Sequence, residues 1–147
     1  MPSRRPPVCS QMFNYEFMRA EQLASSGQLP NMLEESRRQV PIGVHTYLKV
    51  DKATNRTEDP TPHIAAFMLM RQEHWYYFGS TGWMDGDWPW SALYDQLGRC
   101  GKPTGLAQGH PAPIVYERAY ERCHVLLNCT DTSKDGCRAS IDGPMLL

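Results

Sequence analysis

The segment "TPHIAAFMLM", residues 61–70, constrains the fold more than any other, because a helix over it is apolar on nearly every face. Thr61-Pro62 suits a helix start: proline at the first helical position lacks only a donor that the helix leaves unpaired anyway. A helix with no polar face cannot lie on a surface, so this one must be covered on most sides. Strand-like runs flank it. "VPIGVHTYLKV", Val40 to Val50, is rich in β-branched residues, with Pro41 confining its start, and "HWYYFG", His74 to Gly79, reads as the next strand. Between the first of these strands and the apolar helix, "DKATNRTEDP" is a polar loop.

Upstream, "MFNYEFMRAEQLA" places Phe13, Phe17, Ala20 and Ala24 at helical spacing, and Gly27 supplies a stop. "NMLEESRRQ" has Asn31 and Glu34 at capping-box spacing, with Arg37 and Arg38 near its end, where the helix dipole favours cations. The order helix, strand, helix, strand is an α/β pattern with neighbouring strands parallel. After Trp90, "SALYDQLG" reads as a short helix capped by Ser91, followed by the Gly/Pro-rich connector "RCGKPTGLAQGHPAP". The last third alternates apolar and polar residues: "IVYERAYERCHVLLNCT" suits two strands meeting near Glu121, and "CRASI" a third. The expected organisation is a tail over residues 1–11, an α/β region over 12–110 and a small antiparallel β appendage over 111–147.

A chain of 147 residues allows one domain with a real core. Its 15 basic and 16 acidic side chains are mixed along the sequence, so no net field draws it to nucleic acid or an anionic membrane. No apolar run approaches the ~20 residues that span a bilayer, and "MPSRRPPVCSQ" lacks the apolar core of a secretory signal, so the chain reads as soluble. Two N-x-T sequons, at Asn55 and Asn128, fit a secreted origin, and the compartment stays open. Five cysteines, Cys9, Cys100, Cys123, Cys129 and Cys137, show no C-x-x-C spacing, so a structural zinc site lacks support. The odd number leaves at least one thiol free in a monomer. Cys129 and Cys137 flank a turn-rich stretch and can face each other at disulfide distance, whereas Cys123 and Cys129 on one extended strand lie about 20 Å apart.

Seven of the fifteen aromatic residues fall within residues 75–90, "WYYFGSTGWMDGDWPW". Two readings stand: large amphipathic rings filling the corner where a strand leaves the core, or a carbohydrate platform in which Trp83, Trp88 and Trp90 stack on the C–H faces of sugars. Ligands gather at the carboxyl ends of parallel strands in α/β folds, and this loop directly follows such a strand. Asp85 and Asp87 are the candidate catalytic carboxylates, since glycoside hydrolysis uses an acid and a base or nucleophile on opposite sides of the scissile bond. In extended chain, residues two apart lie on one side, about 6.6 Å between Cα atoms, which suits binding hydroxyls better than flanking a sugar. His45 and Tyr47 alternate on the preceding strand and would join this edge if the two strands are neighbours. Ser80 lacks the G-x-S-x-G context of a nucleophile. His63, His74, His110 and His124 form no metal-binding spacing, and no cofactor is indicated.

The ordered set "YYFGSTGWMDGDWPWSALYDQLGRCGKPTG" and "ERAYERCHVLLNCT" resembles the carboxyl-terminal part of glycoside hydrolases with a (β/α)-barrel fold. Trp88, Trp90, Tyr94, Asp95, Gly98, Pro103, Gly105, Arg118 and Tyr120 carry the resemblance, which spans roughly Val40 to Ile141; Arg99-Cys100 is an insertion in it. A complete barrel takes about 250 residues. The resemblance therefore implies a partial (β/α)-barrel, inactive alone, whose uncovered strand edges invite self-association. In it the tryptophans stack sugars, Asp85 and Asp87 orient hydroxyls, and the acid/base pair lies mostly elsewhere. The alternative is a non-catalytic carbohydrate-binding or structural α+β domain.

Overall fold

The computed structural model of the chain describes residues 13–15, 19–25, 27–35, 42–73, 75–80, 92–111, 114–130 and 137–143. Their elements run β1 (Phe13–Tyr15), α1 (Ala20–Ser25), α2 (Gln28–Glu35), β2 (Ile42–Tyr47), β3 (Val50–Asp51), β4 (Arg56–Thr57), α3 (Thr61–Met70), β5 (Trp75–Ser80), α4 (Ala92–Leu97), β6 (Gln108–Pro111), β7 (Ile114–Ala119), β8 (His124–Asn128) and β9 (Arg138–Asp142). They form three sheets: a parallel one in the order β1-β2-β5, the pair β3-β4, and an antiparallel one in the order β6-β7-β8-β9.

Helix α3 organises the molecule, as its sequence demands. Every residue from His63 to Met70 is buried. On one side Phe67 packs on Trp75 and Tyr77 of β5, with ring centroids 6.5 and 5.4 Å apart; α3 also contacts β7, β8 and β9, as well as α1 and α2. The helix begins at Thr61, one residue ahead of the expected proline start, with Pro60 at its N-cap position; before it, Asp59 Oδ1 accepts from both the Thr61 backbone N–H and its hydroxyl, at 2.9 and 2.6 Å.

The other end of α3 is capped from the antiparallel sheet. Arg118 on β7, 3% exposed, donates from Nη1 to the carbonyls of Met68, Leu69 and Arg71 at 3.1, 3.2 and 2.7 Å, and from Nε to Gly105 at 2.8 Å. The Tyr120 hydroxyl donates to Met68 at 2.6 Å. The last turn of a helix leaves its carbonyls unpaired and carries partial negative charge, so a buried guanidinium is stable there. Burial lowers the Arg118 pKa and raises that of Tyr120.

Two disulfides brace the antiparallel part. Cys129 is bonded to Cys137, the pairing its turn-rich spacing allows, and Cys100 is bonded to Cys123. The second bridge ties the 3₁₀ turn after α4 to the β7–β8 turn, where the Arg122 N–H also donates to the Cys100 carbonyl at 3.0 Å. At Gly109 a side chain is excluded by the fold, since a Cβ there would stand 2.0 Å from the Val115 carbonyl oxygen of the paired strand.

The structure corrects the partial barrel with a small appendage. The fold is mixed α/β with three sheets and four short helices, and no barrel closes among the described residues. A (β/α)-barrel closes a ring of parallel strands, whereas the described residues hold three parallel strands in the order β1-β2-β5, with β1 and β5 unpaired to each other, and the strands after α4 pair antiparallel. They make a four-stranded sheet that shares the core around α3. The helix expected across Phe13 is also corrected: Phe13–Tyr15 is a strand pairing parallel with β2, and α1 begins only at Ala20. Phe13 and Tyr15 are good strand formers, and an adjacent sheet edge outweighs a helical spacing shared by a few apolar residues. Helix α2 starts at Gln28, ahead of the capping box expected from Asn31, with Pro30 tolerated in its first turn. Strand β6 lies inside the segment expected to be a connector.

Candidate functional site

Strands β2 and β5 are parallel neighbours, pairing from Ile42↔Trp75 to Tyr47↔Ser80, so their carboxyl ends finish level. Strand residues alternate between faces. Trp75 and Tyr77 turn toward α3, and Tyr77 meets Tyr94 of α4 at 6.3 Å. Burial pushes the Tyr77 and Tyr94 hydroxyls toward higher pKa, keeping both neutral. His45, Tyr47 and Ser80 take the opposite face. There His45 Nε2 lies 2.6 Å from Ser80 Oγ, and the His45 and Tyr47 rings stack at 5.7 Å. Ser80 is 1% exposed and His45 7%. A hydroxyl so enclosed has no approach for a substrate, so this pair acts as a clasp fixing the end of β5 to β2. Tyr47, half-buried at the strand end, is the more accessible of the predicted pair.

The edge continues into an ionic network that sequence reading missed. Arg19, 8% exposed, donates from Nη1 to the Tyr47 carbonyl at 2.5 Å and grips Glu58 with two bonds, Nη1–Oε1 at 2.6 Å and Nη2–Oε2 at 2.9 Å. Its Nε faces Glu21 at 2.5 Å. Glu58 Oε1 also accepts from the Lys49 N–H at 2.7 Å. Beneath them lies His63, 2% exposed, whose Nδ1 accepts from the Ala20 N–H at 3.1 Å, leaving Nε2 to carry the proton 3.6 Å from Glu58. Burial works to raise the Glu58 pKa, but its bonds to Arg19 and Lys49 outweigh that and the carboxyl ends lowered. Arg19 is raised, first by its bond to Glu58. His63 is lowered, by burial and then by the Arg19 charge. The network ties β2, α1 and α3 into one rigid corner. Its one local signal in the sequence is His63, the only ionisable residue in an otherwise apolar helix.

The structure thus brings His45 and Tyr47 to the edge from which residues 81–91 depart. Trp83, Asp85, Asp87, Trp88 and Trp90 themselves lie outside the described residues. Arg118 and Tyr120, which carry the sequence resemblance, cap α3. A cleft of about 390 Å³ opens elsewhere, between Pro30, Leu33 and Glu34 of α2 and Leu106, Gln108 and Tyr116, and includes none of the predicted site residues. Among the described residues no three His, Cys, Asp or Glu side chains are grouped to hold a metal ion, and no helix is long and apolar enough to cross a membrane. No known protein-family model matches the chain, and no curated protein matches it in sequence.

Proposed function

We propose that the chain binds carbohydrate at the carboxyl edge of its parallel sheet and does not hydrolyse it alone. One observation carries the reading: β2 and β5 end level, so His45 and Tyr47 stand beside the end of β5, from which the sequence runs on to Trp83, Trp88 and Trp90. An aromatic ring at a rigid strand end, followed in sequence by a segment dense in indoles and carboxylates, suits the alternating apolar and hydroxyl faces of a sugar. Rigidity favours binding because little ordering remains to be done when ligand arrives.

Hydrolysis is disfavoured by the same chemistry. A glycosidase keeps one carboxyl protonated near neutral pH, and a raised pKa marks that group. Of the two carboxylates at this corner, Glu58 is shifted the opposite way and Glu21 is paired with Arg19. Asp85 and Asp87, two residues apart, serve to orient hydroxyls. The test is a glycan-array screen followed by a turnover assay on each bound oligosaccharide. Saturable binding without release of reducing ends is expected; rapid release, or no glycan bound at all, contradicts the reading.

A further inference from the structure

The two N-x-T sequons sit in opposite surroundings, and the disulfides make the difference consequential. Paired cysteines form and persist in oxidising compartments, and in eukaryotes the endoplasmic reticulum, where they form, is also the compartment in which oligosaccharide is transferred to asparagine. We propose that Asn55 is an N-glycosylation site of this chain and that Asn128 is not.

Asn55 is the last residue of the turn joining β3 to β4, with Asp51 paired to Arg56 across it. Its backbone is in the left-handed region, φ 54°, and its N–H donates to the Asp51 carbonyl at 2.8 Å. Asparagine tolerates that conformation better than other non-glycine residues. The residue is exposed, as are all its neighbours from Lys52 to Arg56, and among the described residues nothing bonds its side-chain amide. A bulky, hydrated glycan at this tip displaces no packed side chain.

Asn128 ends β8, paired on one side with Val115 and on the other with Arg138. Its Oδ1 already accepts from the Thr130 N–H at 3.0 Å and the Thr130 hydroxyl at 2.7 Å. The middle residue of its sequon is Cys129, buried and bonded to Cys137. Once that bridge closes, Asn128 is held at the end of β8 and Cys129 is fixed by the bridge and by its N–H bond to the Ile114 carbonyl at 2.9 Å, so the tripeptide cannot enter a transferase cleft.

The transfer is a substitution at the sugar's anomeric carbon. The Asn55 amide nitrogen forms the new C–N bond and gives up one proton to a base of the transferase, which returns it to water. The bond from that carbon to the phosphate of a lipid-pyrophosphate oligosaccharide breaks, and the lipid pyrophosphate leaves with the electron pair. No oxidation is involved.

The full chain is expressed behind a cleavable secretory leader in a eukaryotic cell, collected from the medium, and compared before and after peptide-N-glycosidase treatment, with the modified residue found by peptide mass spectrometry. Expected is one enzyme-sensitive glycan, on Asn55. It is lost in Asn55→Gln and in Thr57→Val, which break the sequon at different residues, and is retained in Thr57→Ser and Asn128→Gln. A secreted chain with Asn55 bare overturns the proposal, as does equal occupancy at Asn128.

Discussion

Replacing Arg118 by methionine removes the cap from α3 while keeping a long apolar stem in the core. The Gly105 carbonyl is in an exposed segment, where water replaces the lost bond, and the Met68 carbonyl keeps the Tyr120 hydroxyl. The Leu69 and Arg71 carbonyls lose the partner that sits 3.2 and 2.7 Å away. A buried polar group left unpaired costs roughly 1–3 kcal/mol, and the lost charge at the helix end adds up to ~2 kcal/mol. Relief of the desolvation of the buried guanidinium offsets part of this. The net expectation is a loss of about 3 kcal/mol, a large share of the 5–15 kcal/mol typical of a domain. In melting temperature this is a fall of roughly 6–12 °C for a chain of this size. Guanidinium unfolding followed by tryptophan fluorescence measures it, with a lower midpoint and an unchanged slope. Arg118→Lys should recover less than half, because one ammonium cannot serve Gly105 and the helix carbonyls together. If Arg118→Met costs under ~1 kcal/mol, α3 does not depend on this cap; if Arg118→Lys equals wild type, charge alone suffices and the fork geometry is irrelevant.

Other predictions follow from the same structure. Gly109→Ala should strip β6 from the sheet, because the Val115 carbonyl oxygen occupies the space; amide exchange of residues 108–110 should rise by orders of magnitude while that of β8 changes little. Replacing Cys100 and Cys123 together by serine should cost about 3 kcal/mol in urea unfolding, slightly more than opening the Cys129–Cys137 bridge, whose loop is shorter, with sequence separation 8 against 23. His63 has a folded pKa below its ordinary value of 6.5, so the unfolded chain binds more protons as pH falls through that value. Its contribution is therefore complete above pH 6.5 and is lost on acidification toward the lower folded pKa. His63→Gln should remove that part of the stability–pH curve, leaving the fall at lower pH that belongs to Glu58, whose folded pKa is lowered from 4.5.

What the sequence revealed followed how local each signal was. The all-round apolar pattern of α3 forced a buried helix, and the alternation in β7 and β8 placed both strands and the turn at Glu121. Strand β1 leaves little trace in the sequence, because Phe13, Phe17 and Ala20 fall at helical spacing while only three residues pair with β2. Strand β6 was hidden because Gly109 and Pro111, poor strand formers, sit where the fold needs a missing Cβ and an edge position. The barrel failed for a different reason: strand signals do not say whether a sheet closes, and among the described residues the parallel strands stop at three in the order β1-β2-β5, beside a four-stranded antiparallel sheet that shares the core around α3. The corner built from Arg19, Glu21, Glu58 and His63 joins positions far apart in the chain, so no spacing rule could assemble it.

The claim that the strand edge and the tryptophan-rich segment after β5 form one sugar site is tested most directly by calorimetric titration of an array-selected oligosaccharide into wild type, Trp88→Ala and Tyr47→Ala. Saturable binding that weakens about tenfold or more in each variant, ~1.4 kcal/mol, while each variant still unfolds in one cooperative transition, is the predicted result. Affinity unchanged in both variants, or no heat of binding to the wild-type chain, contradicts it.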